Sequence, residues 1–252
     1  MSSFVEGTGL SEVWLRAVEH LAQQRGHEEF NLVVVVNPGD EIPAVRQVLN
    51  LCLERHGLQT VETVANTLFP WALFLMSQDR HELYQRYERL VPTLRRFWRN
   101  NRGTYFERII SWNGEWGKKM NQLEAVVGKL KRPTSDKCVY EISIYDPRAD
   151  SRLSHMMRFP CLSHISFKLD RHSGLLHAVA LYRNHYYFQR AYGNLVGLSA
   201  MQNFIAKEAK LRVGELVCHS THAEIDALSK REIGELTERC RKALNEVVRS
   251  NA

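Results

Sequence analysis

A chain of 252 residues, 44% apolar and 25% charged, can bury a sizeable core and is too hydrophobic to stay disordered. A formal charge of +6 suits an anionic partner such as a phosphate, a folate tail or a nucleic acid, although Lys and Arg are spread along the chain rather than clustered. Five cysteines without a Cys-x-x-Cys pair argue against a zinc ribbon or a dithiol site. With no stretch resembling a signal peptide or a membrane span, the expectation is a cytoplasmic protein with free thiols and no metal.

Ser11 to Gln24 reads as a helix with Val13, Trp14, Ala17, Val18 and Leu21 on one stripe. Leu32–Val36 is an all-apolar, mostly β-branched run ended by Asn37-Pro38-Gly39, which predicts a buried strand; Pro43–Leu53 follows as a helix. The turn between them lacks the Gly-Lys-Ser/Thr of a phosphate loop, so a structural βα unit is expected. His81–Leu94 is amphipathic through Leu83, Tyr87, Leu90 and Leu94. Residues 115–131 repeat the helical pattern through Trp116, Met120, Leu123, Val127 and Leu130, until Pro133.

The period then changes to two. Cys138, Tyr140, Ile142 and Ile144 mark one strand and Ile165, Phe167 and Leu169 another; Asp170 to Gly174 is a hairpin turn, and Leu176, Ala178 and Ala180 carry the return strand. Leu195–Leu211 reads as a buried helix, Val213–Cys218 as a short strand and Lys230–Val248 as a terminal amphipathic helix. The fold class is α/β (α+β), with part of the sheet antiparallel.

Four segments carry chemistry in a recognisable order. Phe159-Pro160-Cys161 precedes a strand, Leu181-Tyr182-Arg183 ends the returning one, Asn194 follows Arg183 by eleven residues, and Val213-Gly214-Glu215-Leu216-Val217 leads to Thr221-His222. Together with Tyr105, Trp112 and Asn121-Gln122-Leu123 upstream, this series resembles the thymidylate synthase superfamily over residues 101–252. Residues 1–100 read as a diverged α/β segment of the same domain or an extension.

The resemblance implies a mixed sheet with flanking helices, a homodimer through that sheet, and transfer of a methyl or hydroxymethyl unit to the 5-position of a pyrimidine nucleotide. 5,10-Methylenetetrahydrofolate would be the donor. By the same resemblance Cys161 is the nucleophile, Arg183 grips phosphate and lowers the thiol pKa, Asn194 reads a uracil-type base, Tyr105 assists proton removal and His222 contacts the sugar. Asn184 and Tyr182 line the same wall, and Lys137 keeps one of two phosphate-binding charges that reach across the dimer. The upstream catalytic acid has Glu82 and Glu88 as candidates, and spacing from Phe69-Pro70 selects Glu88.

Departures from the pattern touch ligand recognition. Glu224 stands where the family has a sugar-contacting tyrosine, Tyr186 where it has an aspartate, Asn184 where it has a serine, and Asp136 where it has an arginine. These leave three further readings: a substrate other than deoxyuridine monophosphate, such as a ribonucleotide, a modified nucleotide or a base in a larger molecule; a non-catalytic nucleotide-binding relative; and acyl transfer by Cys161 with His164 or His155. The last is disfavoured for His164, because residues three apart on a strand point to opposite faces.

Overall fold

The computed structural model describes residues 2–113, 119–132, 137–151 and 160–250. It is a mixed α/β fold built on a seven-stranded sheet. The N-terminal strand β1 (Ser3–Thr8) runs parallel to β2 (Glu28–Asn37), and the helix α1 (Leu10–Gln23) crosses between them. The apolar stripe of α1 buries Val13, Trp14, Ala17, Val18 and Leu21, with the Trp14 Nε1–H donating to the Tyr187 carbonyl at 2.8 Å. After α2 (Pro43–Arg55) come three helices, α3 (Val61–Leu68), α4 (Trp71–Leu75) and α5 (Arg80–Leu94).

Helix α6 (Tyr105–Ile110) leads into a small ribbon, β3 (Trp112–Asn113) with β4 (Lys119–Met120). The helix expected over residues 115–131 starts only at Gln122, as α7 (Gln122–Leu130). Asn121 caps it by accepting from the Glu124 amide at 2.9 Å, while Met120 is strand and exposed. The chain continues through β5 (Tyr140–Ser143), the short α8 (Pro147–Asp150), and the hairpin β6 (Leu162–Asp170) and β7 (Leu175–Tyr182). A two-residue strand β8 (His185–Tyr186) and a π-helical turn at Tyr187–Ala191 lead into α9 (Tyr192–Ala209). Strand β9 (Arg212–Glu224) and the terminal α10 (Lys230–Ser250) complete the chain.

The sheet order is β1-β2-β9-β7-β6-β5, with β8 also pairing β9. Strand β9 is far longer than Val213–Cys218, because β2 pairs along it antiparallel from Leu216 to Glu224 while β7 lies parallel on its other side. Helix α9 is the crossover that parallel strands require. It is apolar on nearly every face because it lies between the sheet and α3. A Cβ on Gly193 would sit 2.6 Å from Val64 Cβ, and one on Gly197 2.8 Å from the Ala65 carbonyl oxygen, so α3 packs onto the backbone of α9 itself. The buried face of the sheet carries Leu32, Val34, Ile142, Ile165, Phe167, Ala178, Ala180, Leu216 and Cys218. The opposite face leaves Val33, Val179, Leu181, Val217 and His219 half-buried or exposed.

Candidate active site

The site gathers at the end of the sheet where β6 begins and β7 finishes. Hairpin register sets Leu162 opposite Tyr182, and the Arg183 amide donates to the Cys161 carbonyl at 2.9 Å, so residues 22 apart in sequence become neighbours. The Arg183 Nε–H donates to the Pro160 carbonyl at 3.0 Å, and its Nη2 lies 4.0 Å from the Cys161 sulfur. Cys161 is half-buried and opens into a cleft of about 400 Å³ whose walls include Tyr105, Asn184, His185, Tyr186, Arg190 and Asn194. Tyr105 reaches the thiol because Thr104 fixes the start of α6, its hydroxyl accepting from the Glu107 amide at 3.1 Å; the Tyr105 hydroxyl then accepts from the Leu162 amide at 3.4 Å.

Burial pushes the Cys161 thiol above its ordinary pKa, and the guanidinium groups of Arg183 and Arg190 only partly offset that. The thiol-lowering effect expected of Arg183 is present but is outweighed by desolvation. Burial also raises the Tyr105 phenol, which therefore stays neutral as a proton donor or relay. Alkylation by iodoacetamide should follow the thiolate. Its rate at Cys161 is expected to rise with pH through a midpoint above about 8.5, the ordinary thiol value. Peptide mapping of the labelled protein across pH reads this directly, and a midpoint below about 8 contradicts it.

Asn194 lies within the first turn of α9, preceded by helical backbone, and so does not act as the helix cap that a Gly-Asn start suggests. Its Nδ2 sits 3.0 Å from His185 Nε2, and His185 Nδ1 sits 3.0 Å from the Ser220 hydroxyl. Burial pushes His185 down to about 3, so the ring is neutral. A proton on Nδ1 satisfies both contacts: Nδ1–H donates to Ser220, and Nε2 accepts from the Asn194 amide. This leaves the Asn194 carbonyl oxygen and its second N–H as an acceptor and donor not used by His185, on a residue that lines the cleft.

The other candidate residues are placed differently. Tyr182 is fully buried beneath the cleft and does not line it: it continues the inward parity of Ala178 and Ala180, and its ring stacks on His185 at 4.0 Å between centroids. His222 lies on β9, where its Nδ1 meets Asn184 Oδ1 at 2.5 Å and its Nε2 meets Glu28 Oε2 at 3.0 Å; it reaches the cleft only through Asn184. Asn184 also donates to Glu224 Oε1 at 3.3 Å.

Glu88 is exposed on the outer side of α5 and is not part of the cleft, because Leu83, Tyr84 and Tyr87 are the residues that helix turns inward. Glu82 caps the start of the same helix through the Gln78 amide. Lys137 is exposed ahead of β5, away from the cleft wall. His164 pairs with Glu141 at 2.7 Å on the solvent side of β6, which removes it as a partner for Cys161. His155, Phe159 and Asp136 lie outside the described residues.

Arg190, His185 and the Trp98–Asn100 turn belong to the cleft, and nothing in the sequence motifs selects them. The available signal for Arg190 is a lone cation in the aromatic run Tyr186-Tyr187-Phe188-Gln189-Arg190, just before a buried helix. Among the described residues no group of three or more His, Cys, Asp or Glu is placed to hold a metal ion, and no helix is long and apolar enough to cross a membrane.

A family model described as thymidylate synthase matches residues 76–248. Curated relatives bearing the name "Putative thymidylate synthase" match the chain at low identity. One from Methanothermobacter thermautotrophicus is 27% identical over 117 residues, covering 46% of this chain and 50% of the relative. One from Methanosarcina mazei is 29% identical over 123 residues, and one from Methanosarcina barkeri 28% over 123 residues, each covering 48% of this chain and 52% of the relative. The chain thus spans about half the length of the curated relatives it matches.

Proposed function

Because this chain belongs to the thymidylate synthase family, we propose that it transfers a one-carbon unit, methyl or hydroxymethyl, to the 5-position of a pyrimidine nucleotide through a covalent adduct at Cys161. The observation that carries this reading is a thiol, approached by the Arg183 guanidinium, that opens into a cleft shared with the Tyr105 phenol, the Arg190 guanidinium and the Asn194 carboxamide.

The Cys161 thiolate attacks the ring at the 6-carbon, forming an S–C bond, and the electrons of the 5,6 double bond move onto the 4-oxygen as an enolate. The nucleophilic 5-carbon would then bond to the carbon of an electrophilic one-carbon donor as the donor's carrier amine leaves. The 5-proton departs with the Tyr105 hydroxyl as relay, and the thiolate is expelled, restoring the 5,6 double bond, when water (giving hydroxymethyl) or a hydride from the donor (giving methyl) adds to the one-carbon unit. Asn194 holds the ring edge, accepting from N3–H and donating to the 4-oxygen. Arg183 and Arg190 flank the sulfur and favour its anionic form once the pyrimidine displaces water.

Methylenetetrahydrofolate, the donor that the family implies, would supply an electrophilic methylene. The cleft offers the ring of Trp98 as a stacking face, but no aspartate or glutamate lines it among the described residues to receive the hydrogen-bond donors of a pterin edge. The described lining therefore does not fit that edge. The open face of the sheet supports a homodimer built through it.

Release of tritium from a 5-tritiated uracil nucleotide tests the reading; no release from uracil or cytosine nucleotides, with or without methylenetetrahydrofolate, would count against it. Asn194→Asp presents a carboxylate where the ring offers its carbonyl. It is expected to move the ratio of uracil to cytosine nucleotide affinity by about thirtyfold toward cytosine, about 2 kcal/mol. Competition titration of the two nucleotides reads this ratio, and an unchanged ratio would remove Asn194 from base recognition.

A non-catalytic nucleotide-binding relative is the second reading, favoured by the burial that pushes the Cys161 thiol above its ordinary pKa. Nucleotide binding without tritium release would select it.

A further inference from the structure

The Cys161 cleft is lined by four arginines, Arg99, Arg102, Arg108 and Arg190, and among the described residues by no aspartate or glutamate. Two of the four have a counter-charge. Arg108 grips the buried Asp150 carboxylate at 2.6 and 3.0 Å, and Arg102 lies in the field of the same carboxylate. Arg190 and Arg99 have no ion-pair partner among the described residues. Arg190 Nη1 donates to the neutral Gln59 Oε1 at 2.6 Å, and the Arg99 guanidinium stands 5.0 Å from the centre of the Trp98 ring. Asp226 is within the field of Arg190, but no ion pair joins them: Gln189 holds the Asp226 carboxylate.

A half-buried guanidinium near a second one, without an ion-paired acid, is unfavourable for the folded chain. Burial and the nearby Arg99 both depress the Arg190 guanidinium. A bound oxyanion relieves desolvation and repulsion together, and the planar fork of arginine matches phosphate or carboxylate oxygens in pairs. Arg183 does not line the cleft; it gives its Nε–H to the Pro160 carbonyl and turns toward the sulfur.

We propose that Arg190 and Arg99 form an oxyanion site at the mouth of the Cys161 cleft, which holds an acidic group of the ligand and selects for it. The proposal rests on the reading of this cleft as a nucleotide site. The oxyanion is either the phosphate of the nucleotide or a carboxylate of the second substrate, and both share the chemistry that the two guanidinium groups recognise.

The test titrates inorganic phosphate, uridine and deoxyuridine monophosphates, the two nucleosides, and tetrahydrofolate against the wild type, Arg190→Gln and Arg99→Gln. Calorimetry or tryptophan fluorescence follows binding at two salt concentrations. Anionic probes are expected to weaken by about tenfold in either variant and to weaken with salt, while the nucleosides do not respond. A response from the monophosphates assigns the site to the nucleotide phosphate, and one from tetrahydrofolate assigns it to the donor carboxylates. Because Arg99 lies in an exposed turn, its variant decides the question even if Arg190→Gln fails to fold.

Equal binding of all probes by wild type and both variants, or no binding of any anion by the wild type, overturns the proposal. If inorganic phosphate senses both arginines but no nucleotide binds, the oxyanion site stands and the nucleotide reading falls. If nucleotides bind without sensing either arginine, the reverse holds.

Discussion

Cys161→Ala is expected to lower one-carbon transfer by about a thousandfold or more, equivalent to about 4 kcal/mol of transition-state stabilisation. Among the described residues Cys161 is the one thiol that lines the cleft, and the His185 ring that also lines it is engaged at both nitrogens by Asn194 and Ser220. Tyr105 is held as a neutral phenol, and Asn194 and Asn184 are amides without nucleophilic character. The substitution is structurally mild, since the sulfur is half-buried and its 4.0 Å approach to Arg183 is long. Nucleotide affinity and thermal midpoint should therefore stay near the wild-type values, which separates lost chemistry from lost fold. Activity within tenfold of the wild type would show that the reaction does not pass through a Cys161 adduct.

The second large effect concerns the joint between α9 and the sheet. Gln202 is fully buried, and its Nε2 faces three backbone carbonyls, those of Leu176 at 2.8 Å and of Gly214 and Glu215 at 3.1 Å. They lie at the register irregularity of β7 on β9 between Leu176 and Ala178. Gln202→Leu keeps the volume but strands these acceptors in the core, at about 1–3 kcal/mol for each that finds no other partner. The expected destabilisation is about 3–5 kcal/mol, read as a lower urea midpoint with an unchanged slope. A loss below about 1 kcal/mol would mean that water or a local shift satisfies the carbonyls.

Much of the hairpin was legible because two-residue periodicity is a direct consequence of the pleat. Ile165, Phe167 and Leu169 face Ala180, Ala178 and Leu176 across β6 and β7, the residues that the alternation selects. The same parity extends to Tyr182 and places it inside; a ligand role inferred from position alone overrode a pattern that already excluded it. The spacing of Trp116, Met120 and Leu123 imitates a helical stripe, yet Lys119-Met120 pairs with Trp112-Asn113, and Asn121 followed by Glu124 was the better start signal. Strand β1 escaped notice because its alternation carries Phe4 outward and Gly7 inward, inverting the usual cue.

The candidate site was legible in part. The order of Cys161, Arg183 and Asn194 survives folding as proximity, since one hairpin and one crossover helix bring their segments to the same end of the sheet. Glu88 could not be judged from spacing, because its distance along the chain from Phe69-Pro70 says nothing about which side of α5 turns inward. Arg190 needed the tertiary context that leaves it without an ion-paired acid among the described residues.

Strand β2 comes from the N-terminal part of the chain, yet it pairs with β9 near the middle of the sheet, with β1 outside it. A fragment lacking β1 and β2 would therefore expose a long row of unpaired amides and carbonyls on β9, flanked by Leu216 and Val217. Such an edge templates the addition of foreign strands. The N-terminal segment thus keeps this long β9 edge paired, whatever it contributes to chemistry.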